Sequence, residues 1–184
     1  DSVNLNHKLI EVFKNSVYLI NEIAHACYLN QSFDHALKMF KKLKQIDPYW
    51  FESMDLYSNI LYIKEDYGEL ANLAFETFNC DKYWPETCCV LGNYYSLRGE
   101  HEKAVLYFKR AIKLNSKFLS AWTLMGHEFL ELKNTAAAIE AYWSAIDIDP
   151  HDFRAWYGLG QAYEIHSMYN YASHYYGNAA LSWP

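Results

Sequence analysis

The stretch from Ala155 to Pro184, AWYGLGQAYEIHSMYNYASHYYGNAALSWP, sets a pattern that the preceding chain repeats. Its large, small and aromatic residues stand at eight positions: Trp156, Leu159, Gly160, Tyr163, Ala172, Tyr176, Ala179 and Pro184. The same positions 34 residues earlier hold Trp122, Met125, Gly126, Phe129, Ala138, Tyr142, Ala145 and Pro150. A further 34 residues earlier they hold Cys88, Leu91, Gly92, Tyr95, Ala104, Phe108, Ala111 and Ser116. A fixed period of this size indicates a structure built of stacked repeats.

The spacing resembles that of the tetratricopeptide repeat (TPR), a helix–turn–helix unit of about 34 residues. The resemblance implies an all-α fold: a right-handed superhelical solenoid of antiparallel helix pairs, with about five repeats. One helix pair cannot bury its apolar face alone, so neighbouring repeats must stack on each other.

Counting in steps of 34 residues divides the chain into blocks. We predict TPR units at 17–50, 85–118, 119–152 and 153–184, the last truncated at its C-terminus, where further repeats, a solvating helix or a partner are expected. Block 51–84 is predicted to be a degenerate TPR, because it keeps the helical period but loses the signature residues. Residues 1–16 have helical spacing and are predicted to be part of a helix of a preceding repeat.

Composition excludes several classes of function. The formal net charge is −6, which does not favour a nucleic-acid partner, and no apolar run is long enough to cross a membrane. The four cysteines show no C-x-x-C spacing, which favours a reducing, intracellular compartment over disulfides.

One segment looks like the start of an enzyme motif. Gly126-His127-Glu128-Phe129-Leu130-Glu131 begins like the zinc-protease helix H-E-x-x-H, but Glu131 stands where the second His is needed. The remaining His and Ser residues form no pattern typical of a catalytic site. The sequence therefore predicts a protein that is not an enzyme and that needs no metal or other cofactor.

The positions that face the groove of a TPR array are the second, fifth, ninth and twelfth of each repeat. In the last three blocks they are Glu86, Cys89, Asn93 and Ser96, then Ser120, Thr123, His127 and Leu130, then Arg154, Tyr157, Gln161 and Glu164. We expect these side chains to be free of packing contacts. As a set they predict a peptide-binding groove, although a solvated helix face is the alternative for any single residue.

The chemistry of these positions favours a basic peptide. Asn93, His127 and Gln161 occupy the same position in three consecutive repeats, where they could hydrogen-bond an extended peptide backbone. Glu86, Glu128, Glu131 and Glu164 add negative charge that suits arginine in the ligand. Chaperone-binding TPR domains use Lys and Asn side chains on the groove to clamp a C-terminal carboxylate. Such a carboxylate clamp is disfavoured here, because the fifth positions hold Cys89, Thr123 and Tyr157, none of which is lysine.

The segment 85–165 resembles a narrower family, that of the eighth TPR subunit of the anaphase-promoting complex (cyclosome). The resemblance is carried by Cys88-Cys89, GNYYSLR, GHEF and KNTAAAI, is weaker over 50–84, and is not assigned over 1–49. It implies a scaffold subunit, found in the nucleus and cytoplasm, of a ubiquitin ligase that drives mitotic exit.

The same resemblance implies particular partners. They are other TPR and scaffold subunits, a second copy of the chain in a homodimer that uses more N-terminal repeats, and the basic C-box peptide of the co-activator. Carried over by position, Asn93 and Glu128 are the foremost candidates for contact with the C-box arginine, and Glu86, His127, Tyr157 and Gln161 are weaker ones. A generic TPR adaptor of another assembly remains the alternative, to be separated by the partners that co-purify.

Overall fold

The computed structural model describes residues 16–183. This part of the chain contains ten α-helices and no strand: α1 (Val17–Leu29), α2 (Phe33–Ile46), α3 (Met54–Ile63), α4 (Tyr67–Cys80), α5 (Pro85–Leu97), α6 (His101–Leu114), α7 (Leu119–Glu131), α8 (Thr135–Ile148), α9 (Phe153–Ile165) and α10 (Tyr169–Leu181). The helix predicted over 1–16 lies outside the described residues except for Ser16, whose hydroxyl caps α1 by accepting from Leu19 N at 3.5 Å.

The helices pair as α1/α2, α3/α4, α5/α6, α7/α8 and α9/α10, and each pair packs on the next. Within each of the last three pairs, a glycine of the first helix faces an aromatic ring of the second. A Cβ atom added to Gly126 would lie 2.5 Å from the ring of Tyr142, and one added to Gly92 would lie 2.4 Å from Phe108. The two helices approach this closely only because glycine has no side chain. The predicted all-α TPR solenoid is confirmed.

The turn inside each pair has the same backbone geometry. Its central residue adopts a left-handed conformation, with φ between 53° and 74°, at Gln31, Glu65, Gly99, Lys133 and Ser167. After α7, Asn134 N donates to Phe129 O and Lys133 N donates to Leu130 O, which satisfies carbonyls at the helix end. The same turn therefore forms in all five pairs, although its left-handed residue is glycine only at Gly99.

The second pair departs from the others. α3 begins only at Met54, after Ser53 takes a left-handed φ of 62°. Ala74 stands where the neighbouring repeats place a large aromatic residue. Tyr57 of α3 instead stacks on Phe40 of α2, with ring centroids 5.4 Å apart. Tyr57 thereby gives the second pair a buried aromatic side chain, although its position differs from that in the other repeats.

Candidate peptide-binding surface

The first helices of the pairs, α1, α3, α5, α7 and α9, share one face of the array. Side chains on this face connect distant repeats as well as adjacent ones. The Nη1 of Arg154 in α9 donates to the hydroxyl of Tyr28 in α1 at 3.4 Å, and Asn59 Nδ2 in α3 donates to the same hydroxyl at 3.4 Å. This inner face is therefore narrow, and its side chains contact each other.

Six of the predicted groove residues are buried: Cys89, Thr123, Asn93, Ser96, Glu128 and Ser120, which expose 0, 1, 2, 5, 5 and 9% of their surfaces. The expectation that groove positions are free of packing contacts was wrong for all of these but Glu128, which is not a groove position of the register. The reason is that the first helices of the pairs lie close together, so Asn93, Ser96 and Ser120 hydrogen-bond to side chains of other repeats.

Asn93 bonds to the preceding repeat. Its Nδ2 donates to Ser58 Oγ at 2.8 Å and to Asn59 Oδ1 at 2.7 Å. Asn59 occupies the same ninth position one repeat earlier, so the bond between the two side-chain amides connects α5 to α3. His127, the next member of the expected ladder, bonds within its own repeat, where Tyr142 OH and His127 Nδ1 lie 2.8 Å apart.

The Glu128 carboxylate has a partner on each oxygen. Ser96 Oγ donates to Oε1 at 2.6 Å, and His101 Nδ1 lies 2.8 Å from Oε2. Burial raises the pKa of Glu128 above its ordinary value, while the bonds from Ser96 and His101 oppose that rise. A ligand that reaches this carboxylate must share it with donors that the protein already supplies, or replace them.

Arg154 forms the principal ion pair of the inner face. Its Nε lies 2.9 Å from Asp152 Oδ1 and its Nη2 lies 3.2 Å from Oδ2, an arrangement that matches the forked guanidinium to the carboxylate. Thr123 Oγ1 also donates to Asp152 Oδ2 at 2.9 Å. Burial disfavours the charged guanidinium, but the charge of Asp152 above all, helped by Tyr28 and Asp55, leaves the pKa of Arg154 raised.

The candidates that are at least partly exposed gather near the ends of α7 and α9. His127, Gln161 and Glu164 line a cavity of about 370 Å³ together with Leu130, Glu131 and Ile165. Tyr157 is 50% exposed beside it, and its ring lies 5.3 Å from that of Tyr176. Glu131 and Glu164 make this cavity acidic, as a basic ligand requires.

The pKa values of two candidates, His127 and Glu86, differ from the ordinary values of these groups. Burial, with the charge of Arg154 in addition, lowers the pKa of His127 to about 4, so the ring is neutral at physiological pH. Burial raises the pKa of Glu86, which is half-buried, and the nearby charges of Asp55 and Glu52 raise it further. The surface thus holds acidic groups at both ends and a neutral imidazole between them.

Several residues of this network were not among the predicted ones. Asp55 accepts from Ser120 Oγ at 2.9 Å, and burial raises its pKa although that bond opposes the rise. The repeat register could have identified Asp55, Asn59 and Tyr28, because they occupy the fifth, ninth and twelfth positions of the first two blocks. In the sequence, Asp152 could have been recognised only as a helix N-cap residue. In the structure its side chain does cap α9, accepting a hydrogen bond from Arg154 N at 3.1 Å.

The chemistry of the surface is that of hydrogen bonding and charge. Within residues 16–183 no cluster of three or more His, Cys, Asp or Glu side chains is arranged to hold a metal ion. Over the same residues, no helix combines the length and apolar character needed to span a membrane.

Comparison with known proteins agrees with this architecture. A model of the tetratricopeptide repeat matches residues 85–118, and a TPR-repeat model matches residues 126–164. The crystal structure of the APC/C hetero-tetramer Cut9-Hcn1 superposes with a TM-score of 0.87 at 20% identity, over 95% of this chain and 34% of that one. The crystal structure of MamA superposes with a TM-score of 0.59 at 25% identity, over 87% of this chain and 94% of that one. The family models therefore identify tetratricopeptide repeats within residues 85–118 and 126–164, and the fold of the described residues is that of such an array.

The sequence comparisons point to a narrower resemblance. Anaphase-promoting complex subunit 8 of Arabidopsis thaliana is 56% identical over 126 residues, which are 68% of this chain and 22% of that protein. The subunit 8 of Dictyostelium discoideum is 48% identical over 127 residues, 69% of this chain and 22% of that protein. Anaphase-promoting complex subunit CDC23 of Saccharomyces cerevisiae is 46% identical over 132 residues, 72% of this chain and 21% of that protein. The chain resembles subunit 8 of the anaphase-promoting complex and spans about a fifth of the length of these relatives.

Proposed function

We propose that this chain is part of a non-catalytic scaffold subunit of the anaphase-promoting complex, acting in the nucleus and cytoplasm during cell division. The observation that carries the proposal is the 56% identity to a named subunit 8 over 126 residues. The continuous stack of helix pairs supports it, because such a stack offers extended surfaces to other subunits. Its partners are other TPR and scaffold subunits and, through more N-terminal repeats, a second copy of the chain.

The inner face is proposed to bind the C-box peptide of the co-activator. His127, Gln161 and Glu164 line an acidic cavity that a basic segment can enter, and Glu86, Arg154 and Tyr157 lie on the same helix faces. An arginine of the peptide pairs with the carboxylates of Glu131 and Glu164, since guanidinium–carboxylate pairs are strong and directional.

Asn93 and Glu128 are also proposed to contact the peptide, although both are buried. Cys89 and Thr123, which are buried as well, belong to the same surface. For the C-box arginine to bind Glu128, its N–H groups must join or replace Ser96 Oγ and His101 Nδ1 as donors to the carboxylate. Either arrangement keeps the buried carboxylate hydrogen-bonded, which is the condition for its remaining charged.

The test is the identity of the proteins that co-purify with the tagged, full-length protein from its own cells. Mass spectrometry is expected to find subunits of the anaphase-promoting complex in constant ratio. Subunits of a different assembly, with none from that complex, would instead support a generic TPR adaptor and overturn the proposal.

A further inference from the structure

His101 and Glu128 form a pair that is found at one junction of the array. His101 is the seventeenth residue of the third repeat, and Glu128 is the tenth residue of the fourth. At the other junctions the same two positions hold uncharged residues: Phe33 and Ile60, Tyr67 and Tyr94, and Thr135 and Ala162. The helix pairs therefore stack without a carboxylate and an imidazole at these positions, so the repeat architecture does not explain the pair.

His101 reaches Glu128 from the outer end of this junction. Its Nδ1 lies 2.8 Å from Glu128 Oε2, and its side chain is 29% exposed whereas that of Glu128 is 6% exposed. A charged carboxylate only accepts hydrogen bonds, so Nδ1 of His101 carries the hydrogen when Glu128 is ionised. A partly exposed imidazole thus donates to a buried carboxylate.

The other oxygen of Glu128 is held by a different helix. Ser96 Oγ donates to Oε1 at 2.6 Å, and the Tyr62 hydroxyl lies 3.3 Å from Ser96 Oγ. Because the single hydrogen of Ser96 is used on Glu128, Tyr62 is the donor in the second contact. Tyr62 lies on α3, Ser96 on α5 and Glu128 on α7, so this chain of hydrogen bonds crosses three successive helix pairs.

Glu128 can still accept hydrogen bonds from a ligand. The two oxygens of a carboxylate offer about four lone-pair sites, and Ser96 and His101 occupy one on each oxygen. A guanidinium presents two parallel N–H groups that match the two oxygens of one carboxylate. An arginine can therefore bind Glu128 without displacing either donor, provided that the carboxylate is charged and correctly oriented.

The charge of Glu128 depends on the same two donors. Burial raises the pKa of Glu128, and the charge of Glu131 raises it further, whereas Ser96 and His101 lower it. The phenol of Tyr142 on α8 also faces this charge, but burial first and then Glu128 raise its pKa, so it stays neutral. Among residues 16–183 no lysine or arginine forms an ion pair with Glu128, so the bond from His101 has no substitute there.

We propose that His101 is a positioning residue for the peptide arginine: it keeps the buried carboxylate of Glu128 charged and fixes its Oε2, without contacting the peptide. The inference rests on the proposed C-box site and adds to it a residue outside the groove positions, since His101 is the first residue of a second helix.

The test is isothermal titration with two peptides, a C-box peptide and the same peptide with citrulline in place of its arginine. Citrulline keeps the shape of arginine and removes the charge. His101→Leu should weaken the arginine peptide by about tenfold, the effect of one hydrogen bond to a charged group, and should leave the citrulline peptide unchanged. A variant that merely disturbed the fold would weaken both peptides alike.

Two further measurements separate positioning from packing. His101→Asn, whose side-chain amide can donate in place of Nδ1, should restore most of the affinity for the arginine peptide. In the chain without peptide, ¹³C NMR of the Glu128 carboxyl should show titration at a higher pH in His101→Leu than in the unaltered chain. His151→Leu, which alters an exposed histidine, is the matched control and should change neither the affinity nor this titration.

The outcomes distinguish this inference from the proposed function. If the unaltered chain binds neither peptide, or binds both equally, the proposed C-box site fails and the role of His101 fails with it. If the unaltered chain prefers the arginine peptide and His101→Leu keeps the same preference, the role of His101 alone is overturned. It is also overturned if affinity falls in His101→Leu and His101→Asn alike while Glu128 titrates as in the unaltered chain.

Discussion

The hydroxyl of Tyr28 lies 3.4 Å from Nη1 of Arg154, although the two residues are 126 positions apart in the chain. This contact joins the first helix pair to the fifth across the inner face. It shows that the array curves tightly enough for side chains of distant repeats to meet. The same curvature buries Asn93, Thr123 and Glu128, which a flatter array would leave open to solvent.

Replacing Arg154 should test how much this buried pairing contributes to stability. Arg154→Met keeps the aliphatic bulk but leaves the almost fully buried Asp152 without its counter-charge. We expect the free energy of unfolding to fall by about 3 kcal/mol, because an unpaired buried charge is costly. Urea unfolding followed by circular dichroism measures this change.

The control is Arg98→Met, which removes an ion pair to Glu100 from an arginine whose side chain is half exposed. Exposed pairs of this kind contribute little to stability because water screens them, so its unfolding midpoint should hardly move. Equal effects of the two replacements would show that the Arg154–Asp152 pair has no special role.

The close approach of α7 and α8 predicts a large effect at Gly126. Gly126→Ala places a methyl group 2.5 Å from the buried ring of Tyr142, so the helices must separate. We expect a loss of about 1–3 kcal/mol, the usual cost of overpacking, visible as a lower thermal midpoint.

Gly177→Ala is the matched replacement, because it lies within α10 and its added Cβ meets no atom within 4 Å. It should raise the thermal midpoint, since alanine stabilises a helix interior by about 0.5–1 kcal/mol relative to glycine. A midpoint for Gly126→Ala at or above that of Gly177→Ala would contradict the close helix contact.

His127 predicts a pH dependence of stability. Its pKa in the folded chain is about 4, below the ordinary value of 6.5, so folding favours the neutral ring. This contribution is complete above pH 6.5 and is lost as the pH falls toward 4, because the unfolded chain then binds a proton that the folded chain does not. The difference between 6.5 and about 4 corresponds to a loss of about 3 kcal/mol in the free energy of unfolding, at 1.36 kcal/mol per pKa unit.

The measurement compares unfolding free energies between pH 7.5 and pH 4.5. His127→Gln should flatten the pH dependence, whereas His151→Gln, an exposed histidine in the turn before α9, should retain the full slope. If the two variants have the same slope, burial of His127 does not control the titration.

The helical architecture could be predicted from the sequence because it depends on local spacing. Glycine and aromatic residues recurring every 34 positions, such as Gly126 with Tyr142, determine where two helices meet. Even the degenerate second block was predicted from its helical period, although the stacking of Tyr57 on Phe40 was not. The position of Tyr57 in the core depends on packing between repeats, because it contacts Phe40 of the preceding pair.

The burial of the candidate site could not be predicted in the same way. The 34-residue repeat register identifies which side chains face the groove, but it does not predict how wide the groove is. Width depends on the small rotation between successive repeats, accumulated from Tyr28 to Arg154. Asn93 therefore has the correct position for a groove residue, yet it is buried against Ser58 and Asn59.

The acidic inner face is proposed to bind a basic peptide. The most direct measurement is isothermal titration of an arginine-containing C-box peptide into the chain, into the Glu131→Gln/Glu164→Gln variant, and into Glu140→Gln as an exposed control on α8. We predict that the double variant binds at least about tenfold more weakly, as expected on losing charge-assisted pairs, and that the control binds normally. The same affinity for all three chains would contradict the claim.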